Sequence, residues 1–291
     1  MRIAVLGAGT MGAGIAYVAA AAGMEVALHD ANTGALDAGV QRIRADIQGA
    51  ERRGKLSAEQ ADAAASRLRV PSTLEDAVAR ADLVVEAIIE DMLAKRGLVT
   101  AVERAAPIGA VIATNTSALS VTEIMAALDD PGRGVGMHFF NPVRAMRLCE
   151  LVLGLETRDE TVSAAETAAH AMGKETVRVR DVAGFATSRI NAVIGNEAFF
   201  MLAEGVASAE DIDTAVRLGL NHPMGPLEMA DMVGLDVRLA VLNELRRSLG
   251  DKYRPAPLME QYVRAGRLGR KVGRGVYRYD GDGNRIDERS P

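Results

Sequence analysis

The chain has 291 residues, of which 48% are hydrophobic and only 3% aromatic, with a single cysteine and a net charge of −5. Scarce aromatic side chains argue against the stacking surfaces that hold single-stranded nucleic acid, and the negative charge argues against a polyanionic partner. One thiol forms no intrachain disulfide, and the apolar stretch of residues 14–28 is too short to cross a membrane, so we expect a cytoplasmic protein without membrane contacts.

A strand, a glycine turn and a helix open the chain. Residues 2–6 read as a buried strand, and residues 13–22 as an Ala-rich helix. Between them, Gly-Ala-Gly-Thr-Met-Gly matches the G-x-G-x-x-G pattern in the strand–turn–helix context that dinucleotide binding requires. In this pattern Gly7 permits the tight turn, Gly9 lets the backbone approach a pyrophosphate, and Gly12 lets the helix pack on the strand.

The start of this helix and the end of the next strand complete the predicted dinucleotide site. At Thr10 and Met11 the helix N-terminus presents N–H groups and the positive end of its dipole to the phosphates. The second strand, residues 26–29, ends at Asp30, whose carboxylate suits the ribose hydroxyls and repels a 2′-phosphate. The pattern therefore predicts NAD as the cofactor, with FAD and a turn that binds no ligand as the open alternatives.

Strands and helices alternate along the chain as far as residue 180. Further strands are predicted at residues 82–87, 111–114, 135–139, 148–153 and 176–179. Helices are predicted over residues 34–68, as a pair broken near residues 52–55, and over residues 92–105, 120–127 and 159–172. This alternation predicts a parallel sheet with helices on both faces. Cys149 lies in one apolar strand, and we interpret it as a core residue rather than a nucleophile.

The pattern changes after Asp181. No strand is predicted between residues 184 and 266, and Gly and Pro separate helices at residues 189–204, 209–218, 225–232 and 236–249. We therefore predict an α/β Rossmann-type doubly wound sheet over residues 1–182, followed by an all-α C-terminal domain over residues 183–291. No metal site is predicted.

Several segments in order along the chain resemble the 3-hydroxyacyl-CoA dehydrogenase family, which includes bacterial 3-hydroxybutyryl-CoA dehydrogenases. They are the glycine turn, Asn115–Ser117, Gly136–Pro142, the strand of Glu150, Asn221–Glu228 and Gly269–Tyr277. The resemblance implies NAD-dependent oxidation of an L-3-hydroxyacyl-CoA, with a short chain as in 3-hydroxybutyryl-CoA, to a 3-oxoacyl-CoA in fatty acid metabolism and β-oxidation. It also implies that the C-terminal domain binds substrate and forms a homodimer.

Two of these segments supply residues suited to oxidising a secondary alcohol. His138 is the candidate base, because imidazole titrates near neutral pH and the residue ends a predicted strand, where α/β sites are built. Glu150 lies on the next strand, from which its carboxylate would orient the imidazole and stabilise the imidazolium. The alternative for His138 is a hydrogen-bonded core residue. The resemblance implies that the Ser117 hydroxyl meets both the thioester and the cofactor, while Ser117 or Ser120 would suit a helix N-cap.

The resemblance implies further contacts to the cofactor and to coenzyme A. Glu90, Lys95, Asn141 and Lys271 occupy positions that touch NAD in the family, and Arg53 one that binds the coenzyme A phosphates with a basic side chain. Each has a structural alternative. Glu90 and Lys95 would form an exposed charged pair at a helix start, Asn141 a turn residue before proline, Lys271 a surface charge and Arg53 part of a solvated turn.

The chain departs from the family pattern where the helical domain begins. Ser188 stands where the family has an Asn that helps to hold the acyl thioester, so we expect activity with an altered substrate range. Asn191 lies nearly one helical turn further on and does not simply replace it. Arg144 and Arg147 add positive charge after the Asn141-Pro142 dipeptide, which would suit an acyl chain with a distal carboxylate.

Two other functions stay open from the sequence. One is a dehydrogenase of a non-CoA hydroxy acid on the same scaffold. The other is a non-catalytic NAD-binding protein, against which the presence of both His138 and Glu150 argues.

Overall fold

Eight strands form a single sheet in the first part of the chain. The computed structural model describes residues 1–286, and the chain divides after Val182 into a sheet unit and a helical unit. The strands are β1 (Arg2–Leu6), β2 (Glu25–His29), β3 (Leu68–Arg69), β4 (Leu83–Glu86), β5 (Val111–Thr114), β6 (Gly134–Phe139), β7 (Leu148–Leu153) and β8 (Glu175–Arg180).

The sheet order is β3-β2-β1-β4-β5-β6-β7-β8. The strands from β3 to β6 pair in parallel, and β8 pairs in parallel with β7. Strand β7 runs antiparallel to β6, so the predicted parallel sheet has one antiparallel pair. The link of residues 140–147 is too short for the crossover that parallel neighbours require.

The helices of the sheet unit begin at side chains that cap them. Asn32, Ser57, Thr73, Asp91 and Ser120 each accept a backbone N–H of the first turn. Of the two candidate caps near residue 120, the structure therefore uses Ser120. The helices are α1 (Thr10–Ala21), α2 (Thr33–Arg52), α3 (Ala58–Ser66), α4 (Leu74–Val78), α5 (Met92–Ala105), α6 (Val121–Met125) and α7 (Asp159–Ala171).

Two short elements of this unit did not emerge from the sequence. Residues 68–69 pair with β2 as the strand β3, although residue 68 was placed at the end of a helix, and α4 follows soon after. A two-residue strand has no periodicity to read, and α4 spans little more than one turn. The apolar core of the unit lies between the sheet and its covering helices and contains Cys149, in agreement with its interpretation as a core residue.

The helical unit contains no strand among its residues up to 286. Its helices are α8 (Thr187–Glu204), α9 (Ala209–Gly219), α10 (Pro226–Val233), α11 (Leu235–Leu249) and α12 (Pro257–Arg264). Helix α12 was not predicted, although Pro257 occupies the favoured first position of a helix. Beyond residue 268 the chain forms a tail held by isolated β-bridges. The predicted fold class is confirmed, and this tail, with a single short 3-10 helix at Arg270–Val272 among its described residues, is an addition to it.

The tail is held to the helices by two buried carboxylates. Asp213 in α9 accepts hydrogen bonds from the N–H groups of Leu227 (2.8 Å) and Glu228 (2.9 Å) and from the Tyr277 hydroxyl (2.8 Å). It therefore joins α9, the first turn of α10 and the tail. Burial raises the pKa of Asp213 above its ordinary value, against the opposing effect of these hydrogen bonds.

Asp231 in α10 makes the second attachment. Its carboxylate accepts the N–H groups of Val276 and Tyr277, both at 2.9 Å, and the Tyr279 hydroxyl at 3.1 Å. Burial also raises the pKa of Asp231.

In the described part of the chain, no helix is long and apolar enough to cross a membrane.

Candidate active site

The glycine turn between β1 and α1 requires glycine at its first and third glycine positions. Gly7 has φ of +101°, and a Cβ there would lie 2.6 Å from the Ala87 carbonyl oxygen. At Gly12 a Cβ would lie 1.8 Å from the Gly7 carbonyl oxygen. At Gly9 a Cβ would meet no atom of residues 1–286 within 4 Å. The first and third glycines thus serve close packing, while the second leaves room for a phosphate group to approach the backbone.

Two further features of this turn fit a dinucleotide. No side chain of the described residues caps α1 at Gly9, so the N-terminus at Thr10 and Met11 can receive an anion. Asp30 Oδ2 accepts the Ala8 N–H at 2.8 Å, which holds its carboxylate beside the glycine turn. The turn and its acid thus form one connected unit, as a pyrophosphate and its neighbouring ribose require.

His138 and Glu150 face each other across the antiparallel pair β6–β7. The register places them directly opposite, and His138 Nδ1 lies 2.7 Å from Glu150 Oε2. The side chains are 8% and 0% exposed, respectively. Because an ionised carboxylate only accepts hydrogen bonds, this contact places a proton on Nδ1 and holds the ring in one orientation. The Phe140 ring packs on the imidazole, with the ring centroids 4.4 Å apart.

A pocket of the sheet unit opens at the carboxyl ends of β4, β5 and β6. Most of its lining residues follow parallel strands, whose carboxyl ends form the usual binding edge of such a sheet. The pocket brings together Met11, Glu90, Ser117, His138 and Asn141, all predicted site residues, with Ala87, Ile88, Asn115, Phe139 and Phe140.

Glu90 gathers the turn that carries Ser117. Its Oε1 accepts the Thr116 hydroxyl at 2.6 Å, the Ser117 N–H at 2.9 Å and the Ala118 N–H at 3.2 Å. The Ser117 hydroxyl lies 3.4 Å from the same oxygen. Ser117 is exposed in the pocket rather than used as a helix cap. The carboxylate of Glu90 therefore shapes this edge of the pocket.

Lys95 lies deeper than the sequence indicates. Its side chain is 0% exposed, and Nζ lies 2.7 Å from Glu86 Oε1 and 3.5 Å from Glu90 Oε2. The alternative of an exposed charged pair is therefore wrong for Lys95. Glu86 was missed as a member of this group, because at the end of a strand it reads as a boundary residue. Its only signal is a charge that terminates the apolar strand β4.

Asn115 also escaped a specific assignment, although it belongs to a quoted motif. Its Oδ1 accepts the Phe139 N–H at 3.0 Å, next to His138, and it lines the same pocket.

The loop after Asn141 is held by Lys174, whose ammonium donates to the carbonyl oxygens of Val143 and Met146. Burial lowers the pKa of Lys174.

The helical unit holds its own apolar pocket. Ser188 is half-buried near the start of α8, whereas Thr187 and Asn191 are among the pocket's lining residues. Asn191 is thus a candidate polar group that the sequence analysis set aside, and its signal was the helical spacing from Thr187. The other lining residues are Ala186, Ile190, Ile194, His222, Pro223, Met224, Pro226 and Met229.

The remaining predicted basic residues lie at surfaces. Lys271 Nζ makes an ion pair with Asp236 at 2.7 Å within the helical unit. Arg53 is exposed at the end of α2. Arg144 pairs with an acidic residue of α2 at 3.2 Å, and Arg147 pairs with one of β8 at 2.5 Å, so each faces a carboxylate of its own unit.

Among residues 1–286 no group of three or more His, Cys, Asp and Glu side chains is arranged to hold a metal ion.

Known proteins resemble this chain over nearly all of its length. The family model of the 3-hydroxyacyl-CoA dehydrogenase NAD-binding domain matches residues 2–182, and the model of the family's C-terminal domain matches residues 184–279. The chain is 44% identical over 280 residues to a probable 3-hydroxybutyryl-CoA dehydrogenase of Bacillus subtilis, covering 96% of this chain and 97% of that protein.

Two further relatives bear on substrate and fold. The 3-hydroxyadipyl-CoA dehydrogenase of Escherichia coli is 40% identical, covering 94% of this chain and 58% of that protein. The crystal structure of the (S)-3-hydroxybutyryl-CoA dehydrogenase of Ralstonia eutropha matches with a TM-score of 0.93 at 41% identity, covering 96% of this chain and 99% of that one. The NAD-binding family domain confirms NAD as the predicted cofactor. The chain belongs to the 3-hydroxyacyl-CoA dehydrogenase family of NAD-dependent oxidoreductases.

Proposed function

We propose that this protein reversibly oxidises short-chain L-3-hydroxyacyl-CoA, with 3-hydroxybutyryl-CoA as its representative substrate, to 3-oxoacyl-CoA. The observation that carries the proposal is the 2.7 Å contact between His138 Nδ1 and Glu150 Oε2 at the edge of the sheet-unit pocket. An oriented imidazole beside a buried carboxylate suits removal of a hydroxyl proton. Relatives named for 3-hydroxybutyryl-CoA support this choice of substrate.

In the proposed mechanism His138 takes the proton of the substrate 3-hydroxyl group. Because Nδ1 is held by Glu150, we assign the transfer to Nε2. The buried carboxylate stabilises the imidazolium that forms and keeps the ring in place for the return of the proton. When bound, NAD would supply the acceptor for the hydride that leaves the substrate carbon. The Ser117 hydroxyl, exposed in the pocket with His138, orients the substrate near its thioester.

The cofactor contacts follow from the same geometry. We propose that the amides at Gly9, Thr10 and Met11 hold the pyrophosphate, because the backbone there is open and α1 begins without a side-chain cap among the described residues. Gly7 and Gly12 give the turn its shape, and Asp30 receives the ribose hydroxyls.

Other contacts are assigned to side chains around the pocket and beyond it. Glu90 and Asn141 line the pocket and are placed at the nicotinamide side. We assign Lys271 to the cofactor, which requires that it exchange its Asp236 partner. Arg53, exposed at the end of α2, is assigned to the coenzyme A phosphates.

The helical unit is proposed to hold the acyl group and to form a homodimer. Its pocket is walled by Ile, Met and Pro side chains, with Thr187 and Asn191 as polar groups and Ser188 beside them in sequence. Arg144 and Arg147 are each already paired with a carboxylate. This arrangement favours a plain acyl chain over one with a distal carboxylate. We place the enzyme in cytoplasmic fatty acid metabolism, in the β-oxidation step that this reaction represents.

The experiment is a spectrophotometric assay of acetoacetyl-CoA with NADH, extended to longer 3-oxoacyl-CoA esters, to 3-oxoadipyl-CoA and to free 3-oxo acids. We expect the highest kcat/KM for the shortest plain chain. His138→Ala should lower kcat by about 10²- to 10⁴-fold, while His170→Ala, which changes an exposed histidine of α7, serves as the matched control. Turnover of free acids alone would overturn the proposal, as would an equal rate for both histidine variants. Mass measurement in solution tests the dimer.

A further inference from the structure

A buried ion pair lies beneath the pocket edge that carries Ser117. The side chains of Glu86 and Lys95 are both 0% exposed, with Nζ 2.7 Å from Oε1. Glu86 also accepts the Thr114 hydroxyl at 2.6 Å and the Ile88 N–H at 2.8 Å. Packing alone does not call for such a pair, because apolar side chains of similar volume usually fill a core at equal or better stability.

The pair continues toward the pocket through Glu90. Lys95 Nζ lies 3.5 Å from Glu90 Oε2, while Glu90 Oε1 accepts hydrogen bonds from Thr116, Ser117 and Ala118. One carboxylate thus has one oxygen toward the buried cation and the other toward the turn. The contacts form a continuous series from the end of β4 to the Ser117 turn.

We infer that Glu86 and Lys95 are positioning residues that fix the Glu90 carboxylate and, through it, the Ser117 turn. This rests on the proposed function, in which Ser117 meets the reacting groups. The ammonium of Lys95, completely buried in this structure, contacts the carboxylates of Glu86 and Glu90. Glu90 is 38% exposed, so without the cation its carboxylate would turn toward water and release the turn.

The charge on Lys95 is what the arrangement requires. An ammonium group offers three donors, which suits contact with two carboxylates at once. Glu86 holds the ammonium in place, and its other oxygen is held by Thr114 on the neighbouring strand β5. These contacts anchor the turn to the centre of the sheet. A site with precise geometry needs such support from a rigid element.

The test removes both buried charges together, in Glu86→Gln with Lys95→Met, because loss of one partner alone leaves an unpaired buried charge. Thr116→Val removes one donor to Glu90 and is matched by Thr100→Val in α5, which also loses a hydroxyl bonded to the backbone but lies outside the pocket-lining residues. The readouts are kcat and KM for acetoacetyl-CoA, the Kd for NADH by calorimetry, the Tm, and amide hydrogen exchange.

We expect kcat to fall by about 10- to 100-fold in the double variant and less in Thr116→Val, because small misplacements near reacting groups cost this much. The Kd for NADH should rise by less than kcat falls, because the glycine turn is intact and the change is confined to the contact of Glu90 at the nicotinamide side. Amides of Ser117 and Ala118 should lose protection in the double variant. Thr100→Val should match the wild type in every readout.

Three outcomes would overturn the inference. Wild-type kcat and protection in the double variant would show that the pair serves packing alone. A loss of NADH affinity equal to the loss in kcat would show that Lys95 binds the dinucleotide directly. If the double variant fails to fold, an unchanged Thr116→Val decides against the network. A wild-type enzyme inactive on every acyl-CoA would overturn the proposed function instead, and hydrogen exchange would still test the network.

Discussion

The buried carboxylates of the two units of this protein contact different kinds of chemical group. In the sheet unit, Glu86 faces Lys95 and Glu150 faces His138, so each acid contacts a side chain that carries or can take up a proton. In the helical unit, Asp213 and Asp231 accept hydrogen bonds from backbone N–H groups and tyrosine hydroxyls.

This difference separates chemistry from architecture. A carboxylate beside an imidazole can stabilise a charge that appears and disappears during a reaction. A carboxylate that accepts hydrogen bonds from several N–H and O–H groups holds their segments together. All of these bonds form only in one arrangement of the segments. We therefore expect variants of the first kind to change rates and variants of the second kind to change stability.

The largest expected effect is on catalysis in the sheet unit. His138→Ala should lower kcat by about 10²- to 10⁴-fold, the usual contribution of a general acid–base group, while the Tm changes little. Glu150→Gln should also lower kcat, because the amide no longer stabilises the imidazolium. The fall should be smaller than for His138→Ala, because the imidazole itself remains. Steady-state kinetics and calorimetry check both. If Glu150→Gln lowered only the Tm, the two units would not differ as described.

The next effect is on stability in the helical unit. Asp231→Asn replaces one acceptor oxygen with an amide donor that opposes the backbone N–H groups of the tail. It should reduce the free energy of unfolding by about 1–3 kcal/mol, the usual cost of a buried group left without its partner. Denaturant titration measures this, with the exposed Asp282→Asn as control. A large fall in kcat with an unchanged midpoint would contradict the assignment to architecture.

A third expectation concerns pH. Burial raises the pKa of Asp213 and Asp231 above 3.8, so the folded chain holds these protons more tightly than the unfolded chain. Their contribution to stability is complete below about 3.8 and is lost as pH rises through the raised folded pKa values. The stability difference between the wild type and Asp231→Asn should therefore shrink as pH rises across that window. A difference that grows with pH would contradict the raised values.

The smallest effect is an expected lack of reactivity. Burial raises the pKa of Cys149 to about 12, so the folded protein should not react with a thiol reagent near pH 8, where only the thiolate is nucleophilic. Denaturation should release one reactive thiol per chain, since Cys149 is the only cysteine. Rapid labelling of the native protein would show that Cys149 in β7 is accessible to the reagent, which would contradict its burial.

Local sequence accounts for much of the fold and part of the site. The glycine turn was recognisable because Gly7 and Gly12 sit where a Cβ is excluded by atoms only a few residues away or on the adjoining strand. Ser57 and Ser120 mark helix starts, because each side chain accepts a hydrogen bond from the backbone N–H three residues further along the chain. Short elements such as β3 and α4 carry too few residues for a periodicity and were missed.

The site residues divide in the same way. His138 and Asn141 were identified from a motif of consecutive residues. Glu86 and Asn191 were not assigned, because their significance lies in partners or pockets that the local pattern does not show. Lys95 was noticed, but its burial was not, since a lysine at a helix start normally reads as exposed.

By itself the sequence determined the glycine turn, the order of the longer strands and helices of the sheet unit, the cofactor class and a candidate histidine with its acid. The tertiary structure decided that β7 runs antiparallel to β6 and that His138 stands opposite Glu150. It also decided that Lys95 is buried against Glu86 and that Asp231 holds the tail. The physical reason is that local conformation depends on neighbours along the chain, whereas these contacts depend on strand register and packing, where a slip of one residue turns a side chain to the opposite face.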